Sequence, residues 1–133
     1  MIKKNKLKIM KSKHGNVIKI INKSSNYYFG FNELYFSQIK KNKIKGWKKH
    51  TRMTMNLKVI LGKVKFVFSK DKKKFKKIIL SDNDHFMLTI SKNIFFAFQG
   101  LEKQNTILNF SNIKHSQKEC INLPLNQINY NWK

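Results

Sequence analysis

Acidic residues are scarce in this chain: six Asp and Glu stand against 29 Lys and Arg among 133 residues, a formal net charge of +23. Cysteine is scarcer. Cys120 is the only one, so no internal disulfide can form, and no Cys/His group has zinc-finger spacing. A reducing cytoplasm is the expected compartment. No apolar run approaches the roughly 20 residues that span a bilayer. Met1 to Lys13 alternates lysines with single apolar residues, without the continuous apolar core of a signal peptide. No membrane association is expected. An amphipathic helix of three turns, an internal repeat, and a low-complexity linker beyond the run Lys72 to Lys74 are also missing. At this length and without a linker, residues 1–133 read as one domain.

What is present argues for a folded protein. Hydrophobic residues make up 41% of the chain, and eleven Phe, four Tyr and two Trp supply bulky core material, which sets it apart from disordered polycations. The positive charge would ordinarily point to a polyanionic partner. Here, however, the basic positions are lysines scattered through every segment, and Arg52 is the single arginine. That distribution matches an AT-rich coding bias and a solvated surface, so nucleic acid is kept only as an alternative ligand.

Period-two alternation recurs in short blocks, the mark of strands with one buried face. Val17 to Ile21 and Leu34 to Ile39 form the first blocks. Met53, Met55, Leu57, Val59 and Leu61 share a face, and Val64, Phe66 and Phe68 resume the pattern after Gly62. The expectation is a β-hairpin turning at Leu61-Gly62-Lys63, since glycine reaches positive φ without steric cost. Ile78 to Leu80, Phe86 to Ile90, Phe95 to Gln99 and Thr106 to Asn112 continue the series, with a turn at Ser81 to Asp84. Eight to ten short strands predict an all-β fold, best described as an antiparallel jelly-roll barrel. One helical turn is expected within Leu123 to Ile128, ahead of Tyr130 and Trp132.

The segment Lys45-Gly46-Trp47-Lys48-Lys49-His50-Thr51-Arg52 concentrates the chemistry. His50 is the candidate base, because imidazole titrates near neutrality and can take a proton beside a carbonyl. Arg52, two residues on, would share its face if the strand has begun, and a guanidinium grips phosphate at two points. Lys45 and Lys48 are candidate phosphate contacts. Phe31 and Trp47 are the aromatic residues expected to stack on a nucleotide base or sugar. No metal or other cofactor is expected: the pattern that would bind a metal at such a barrel runs His50-Thr51-Arg52, arginine cannot ligate a cation, and Phe95 to Phe98 contains no histidine.

These residues resemble the dTDP-4-dehydrorhamnose 3,5-epimerase-like cupins, a group of nucleotide-sugar enzymes, over about Gly15 to Trp132. Phe31-Asn32-Glu33 is similar to the Phe-x-Glu part of the family's nucleotide-binding segment, which implies a binding role for Glu33 as well. Lys45 to His50 is similar to the Arg-Gly-Leu-His segment carrying the family's base, and Gly62-Lys63-Val64 to its Gly-x-Val turn. Phe96-Ala97-Phe98 resembles the late His-Gly-Phe strand, and Ile128 to Trp132 the terminal Ile-Asp-Trp. The family's partner aspartate would fall at Asn122-Leu123-Pro124 and its tyrosine acid at Leu108-Asn109-Phe110, so both functional groups are replaced. An imidazole without its carboxylate loses orientation and basicity.

The resemblance implies a metal-independent sugar-nucleotide epimerase or ketoisomerase, with dTDP-4-keto-6-deoxyhexose as substrate, in surface-polysaccharide biosynthesis. A homodimer exchanging N-terminal strands is the expected assembly. Two other classes stay open: a non-catalytic cupin module that binds a sugar nucleotide, and a basic nucleic-acid-binding protein.

Overall fold

The computed structural model describes all 133 residues. Its elements are almost entirely strands: β1 (Ile2–Lys6), β2 (Lys8–Met10), β3 (Val17–Lys19), β4 (Glu33–Lys40), β5 (Ile44–His50) and β6 (Met55–Leu61). They continue with β7 (Lys63–Ser69), β8 (Lys76–Ser81), β9 (Phe86–Ile90), β10 (Phe95–Gly100), β11 (Gln104–Ser111) and β12 (Cys120–Asn122). The only helical element is a 3-10 turn at Leu125–Gln127, so no helix is long and apolar enough to cross a membrane.

Two five-stranded antiparallel sheets face each other. The first has the order β1-β9-β6-β11-β4 and the second β12-β5-β10-β7-β8, with β2 and β3 forming a separate short ribbon. Thirteen buried residues fill the space between them, among them Met55, Leu57, Val59, Leu88 and Ile107 from the first sheet and Val64, Phe66, Phe68, Leu80 and Phe96 from the second. This is the expected jelly-roll arrangement, and the alternation in the sequence is the reason for it: alternate apolar side chains, such as Met55, Leu57 and Val59 on β6 and Val64, Phe66 and Phe68 on β7, enter the space between the sheets.

The expected hairpin at Gly62 is not one. β6 pairs with β11 and β9, whereas β7 pairs with β10 and β8. A single residue between strands is too short for a two-residue hairpin loop, and the chain instead turns a corner from one sheet into the other. Glycine is required there for two reasons. Its φ is +81°, and a Cβ would lie 2.2 Å from the Gln104 carbonyl oxygen.

The outer faces are covered unequally. Over the first sheet, Asn56 Nδ2 donates to the Tyr27 carbonyl. The segment between β3 and β4 therefore covers part of that face, and Lys58, which the alternation places toward solvent, is buried as well. Its ammonium bonds the carbonyls of Val59 and Asp84. Over the second sheet lies a compact cluster of Trp47, Val67, Phe95, Ala97 and Ile128, with Phe75, Leu123, Tyr130 and Trp132 packed against it.

Candidate active site

At one end of the inter-sheet space the side chains stop short of filling it. A cavity of about 260 Å³ remains, bounded by residues of six strands: Tyr35 and Ser37 on β4, Lys45, Lys48 and His50 on β5, Met55 on β6, Phe96 and Phe98 on β10, Asn109 on β11 and Asn122 on β12. Larger depressions near Phe75 (about 690 Å³) and along Gln38 and Lys103 (about 460 Å³) contain no histidine. The small cavity is where the chemistry converges.

Its shape depends on an irregularity in β5. Phe96 of β10 faces Lys48 and Phe98 faces Lys45, so two steps on one strand match three on the other. The extra residue is a β-bulge. It brings Lys45 and Lys48 to the same face although they are an odd number of residues apart, which simple alternation forbids. Gly46 sits inside the bulge at φ +138°, and a Cβ there would come 2.5 Å from the Ala97 Cβ. No other residue type fits without displacing β10.

His50 ends β5 facing the cavity, only 5% exposed, with its ring stacked on Phe96 at 5.9 Å. Its Nδ1 lies 2.5 Å from Oε1 of Glu119, which is 2% exposed. Glu119 is held from several sides. Its Oε2 accepts from the amides of Arg52 and Met53 at 3.4 and 3.3 Å, and its backbone carbonyl accepts from the Thr51 amide and hydroxyl. The bend at 51–53 is thus wrapped around this carboxylate.

Electrostatics set the protonation states. Burial lowers the His50 pKa below the ordinary imidazole value, and nearby Lys48 and His115 lower it further, against the opposing pull of Glu119. Burial pushes Glu119 upward, but its bonds with His50 and the two amides outweigh that and hold it below the usual carboxylate range. At neutral pH the pair is a neutral imidazole donating from Nδ1 to an ionised carboxylate. That fixes the tautomer and leaves the Nε2 lone pair free as a base. Burial raises the Tyr35 phenol, as do the charges of Glu33, Cys120 and Glu119, so it remains a proton-bearing donor at the cavity wall.

The metal question is answered by the donor set. His50, Glu119 and Cys120 present ligand atoms within 4.8 Å of one another. Both carboxylate oxygens are already engaged by hydrogen-bond donors, however, and Lys48 places a positive charge on the same cavity. This arrangement suits an anion better than a cation.

Several residues singled out from the sequence fall elsewhere. Arg52 does not share the face of His50, because β5 ends at His50 and the bend around Glu119 carries the exposed Arg52 side chain away from the cavity wall. Trp47 borders the cavity but has no free face for stacking. It is 0% exposed, enclosed on the outer side by Phe75, Tyr130 and Trp132. Phe31 is 55% exposed and packs on Phe110, and Glu33 begins β4 beside Ser111; neither lines the cavity. Lys45 and Lys48 do line it.

The missing carboxylate is present after all. It does not come from Asn122-Leu123-Pro124 but from Glu119, three residues before Asn122 and 69 residues from its histidine in sequence. No sequence signal marks it: the pairing of β12 with β5, in which Cys120 stands opposite His50, brings Glu119 to the ring. Asn109 does occupy the cavity wall, with its amide donating to Ser37 Oγ and the Ile107 carbonyl. Tyr35, which no sequence motif marks as functional, is the phenol that faces the cavity.

No protein-family model and no curated protein sequence matches the chain. Its fold is nevertheless shared with solved structures of sugar-nucleotide enzymes. A dTDP sugar isomerase from Desulfovibrio desulfuricans superimposes with a TM-score of 0.88 at 21% identity, covering 98% of this chain and 90% of that one. A sugar 3,4-ketoisomerase from Thermoanaerobacterium thermosaccharolyticum, solved in complex with TDP, gives 0.81 at 18% identity over 90% and 86% of the two chains. A dTDP-4-dehydrorhamnose 3,5-epimerase from Bacillus anthracis, with TDP and pyrophosphate bound, gives 0.85 at 16% identity over 98% and 84%. The cupin-type jelly roll expected from the sequence is the fold observed.

Proposed function

We propose that this protein is a sugar-nucleotide isomerase that moves the ketone of a nucleoside diphosphate 4-keto-6-deoxyhexose by metal-independent proton transfer, with dTDP as the nucleotide. The observation that carries the reading is the His50–Glu119 pair, buried, tautomer-fixed and turned into a cavity. At about 260 Å³ the cavity lies below the roughly 300–1,000 Å³ of sites for drug-sized ligands. It suits the sugar ring, with the nucleotide outside the mouth where Lys45 is exposed.

In this mechanism Nε2 of His50 takes the proton from the carbon beside the ketone. The C–H electron pair becomes the carbon–carbon double bond, and the carbonyl oxygen takes the negative charge. The neighbouring hydroxyl then yields its proton toward that oxygen, with the Tyr35 phenol as intermediary, and His50 returns its proton to the former carbonyl carbon. Each proton is accounted for, and one base on one face suffices. Double epimerisation needs an acid on the opposite face, and Asn109 stands where the resemblance would put it; an amide cannot supply that proton. Ketone migration is therefore favoured over epimerisation.

The test is incubation with dTDP-4-keto-6-deoxyglucose and related keto sugars in deuterium oxide. Deuterium entering the sugar beside the ketone supports the reading. Its complete failure to enter any of them, together with a dTDP-induced thermal shift that survives in His50→Ala, would select the non-catalytic binding module. A response to oligonucleotide that collapses with added salt, with none to dTDP, would select the nucleic-acid reading. The same proposal places the protein in the cytoplasm, in surface-polysaccharide biosynthesis. It also includes a homodimer paired through the N-terminal strands, supported by the edge position of β1 in its sheet. A monomeric mass in light scattering at micromolar concentration would argue against the dimer.

A further inference from the structure

The two lysines of the cavity are not equivalent. Exposure falls along β5 from Lys45, which is exposed, through Lys48, half-buried, to His50, buried. Lys45 is tethered at the mouth, where its Nζ donates to the Gln38 carbonyl at 2.6 Å. Lys48 lies between Phe96 and Asn122, its cross-strand neighbours, and both of these residues also line the cavity. It has no carboxylate partner, because the single ion pair of the protein is His50–Glu119. An ammonium without a counter-charge has therefore been placed beside a base that must work neutral.

We infer that Lys48 is a catalytic residue that holds the oxygen on which negative charge appears during proton transfer, while Lys45 at the mouth serves the diphosphate. This rests on the isomerase reading and sharpens it. When His50 Nε2 removes the proton, the electron pair of the broken C–H bond ends on the former carbonyl oxygen. The enolate then needs a donor that is already in position and costs no solvent reorganisation. Phe96 and Phe98 flank the site and exclude water from one side, which strengthens the attraction of an ammonium for an oxyanion. The cation also helps to keep the neighbouring imidazole unprotonated, so one side chain favours both the free base and the anion that the base creates. Phosphate at the mouth lies further along the strand, at Lys45, and does not need it.

Three variants separate these roles: Lys48→Met, Lys48→Arg and Lys45→Met. In each, dTDP affinity is measured by titration calorimetry, deuterium exchange into the keto sugar is followed at saturation, and the His50 imidazole is titrated by NMR. Lys48→Met is expected to leave dTDP affinity within about threefold and to slow exchange by about 10²–10³, the size of one lost oxyanion donor. Its His50 should titrate at higher pH than in the wild type. Lys48→Arg should recover part of the exchange rate, and Lys45→Met should weaken dTDP by about tenfold, the scale of one charge-assisted hydrogen bond. The inference is overturned if Lys48→Met exchanges at the wild-type rate, if it weakens dTDP as strongly as Lys45→Met, or if its His50 titration does not move. Absence of exchange in the wild type is a different failure, since it removes the isomerase reading and this role with it.

Discussion

The two faces of one sheet are built from alternate residues of the same strands and have opposite characters. On the inner face, β5 and β10 present Lys45, Lys48, His50, Phe96 and Phe98 to a cavity left open. On the outer face they present Trp47, Phe95 and Ala97, which the C-terminal segment seals with Ile128, Tyr130 and Trp132. Trp47 is so fully enclosed that its Nε1 has no hydrogen-bond partner. The outer face exchanges hydrogen bonding for packing. The inner one exchanges packing for reactive groups. A strand can carry an incompletely packed site if its other side is locked, and the aromatic cluster is that lock.

The contrast breaks most sharply at His50. His50→Asn should lower deuterium exchange by about 10³–10⁴, toward the upper end for loss of a general base, with dTDP affinity nearly unchanged by calorimetry and a melting temperature close to that of the wild type. On the other face, Trp47→Ala should cost about 3–5 kcal/mol of stability in urea denaturation, and at temperatures where it stays folded its exchange rate should remain near that of the wild type. Equal loss of rate and stability in both variants would dissolve the distinction between the faces.

Glu119→Gln tests the link between tautomer and rate. A neutral amide can donate to Nδ1 and move the proton to Nε2, so exchange should fall by about 10² or more while the binding of dTDP persists. The smallest effect is that of pH. Both His50 and Glu119 have folded-state pKa values below their ordinary ones, so each contributes stability that is present above its unfolded pKa and lost as pH falls. For His50 that loss begins near pH 6.5, the ordinary imidazole value, and runs down through its lower folded value; Glu119 adds its own loss in the carboxylate range. The exchange rate should fall over the same acidic window with an apparent pKa under about 6.5. In His50→Asn the part of the acid-induced stability loss that begins near neutrality should disappear, which thermal melts at a series of pH values would register.

The legible parts of the sequence were those governed by local periodicity. Met55, Leu57 and Val59, and then Val64, Phe66 and Phe68, announce their strands because apolar core-facing side chains recur at every second residue. The phase change at Gly62 was visible too, but whether it marked a hairpin or a corner depends on partners that periodicity does not name. Arg52 does not share the face of His50 because β5, and with it the alternation, ends at His50. Lys45 and Lys48 share a face only because of a bulge, whose presence depends on the fit of Gly46 against Ala97. Lys58 reads as a surface lysine, since a strand does not reveal whether another segment will cover its outer side.

By itself, the chain's residue order determined an all-β barrel with one titratable imidazole near a basic segment, because strand alternation and side-chain type are properties of neighbours. Only the tertiary structure decided what that imidazole can do. Glu119 reaches it from 69 residues away, Tyr35 and Asn109 from two further strands, and Trp47 is taken out of reach by residues near the C-terminus. Those contacts arise when two sheets close on each other and long stretches of chain are brought together, and a linear pattern carries no record of such distances.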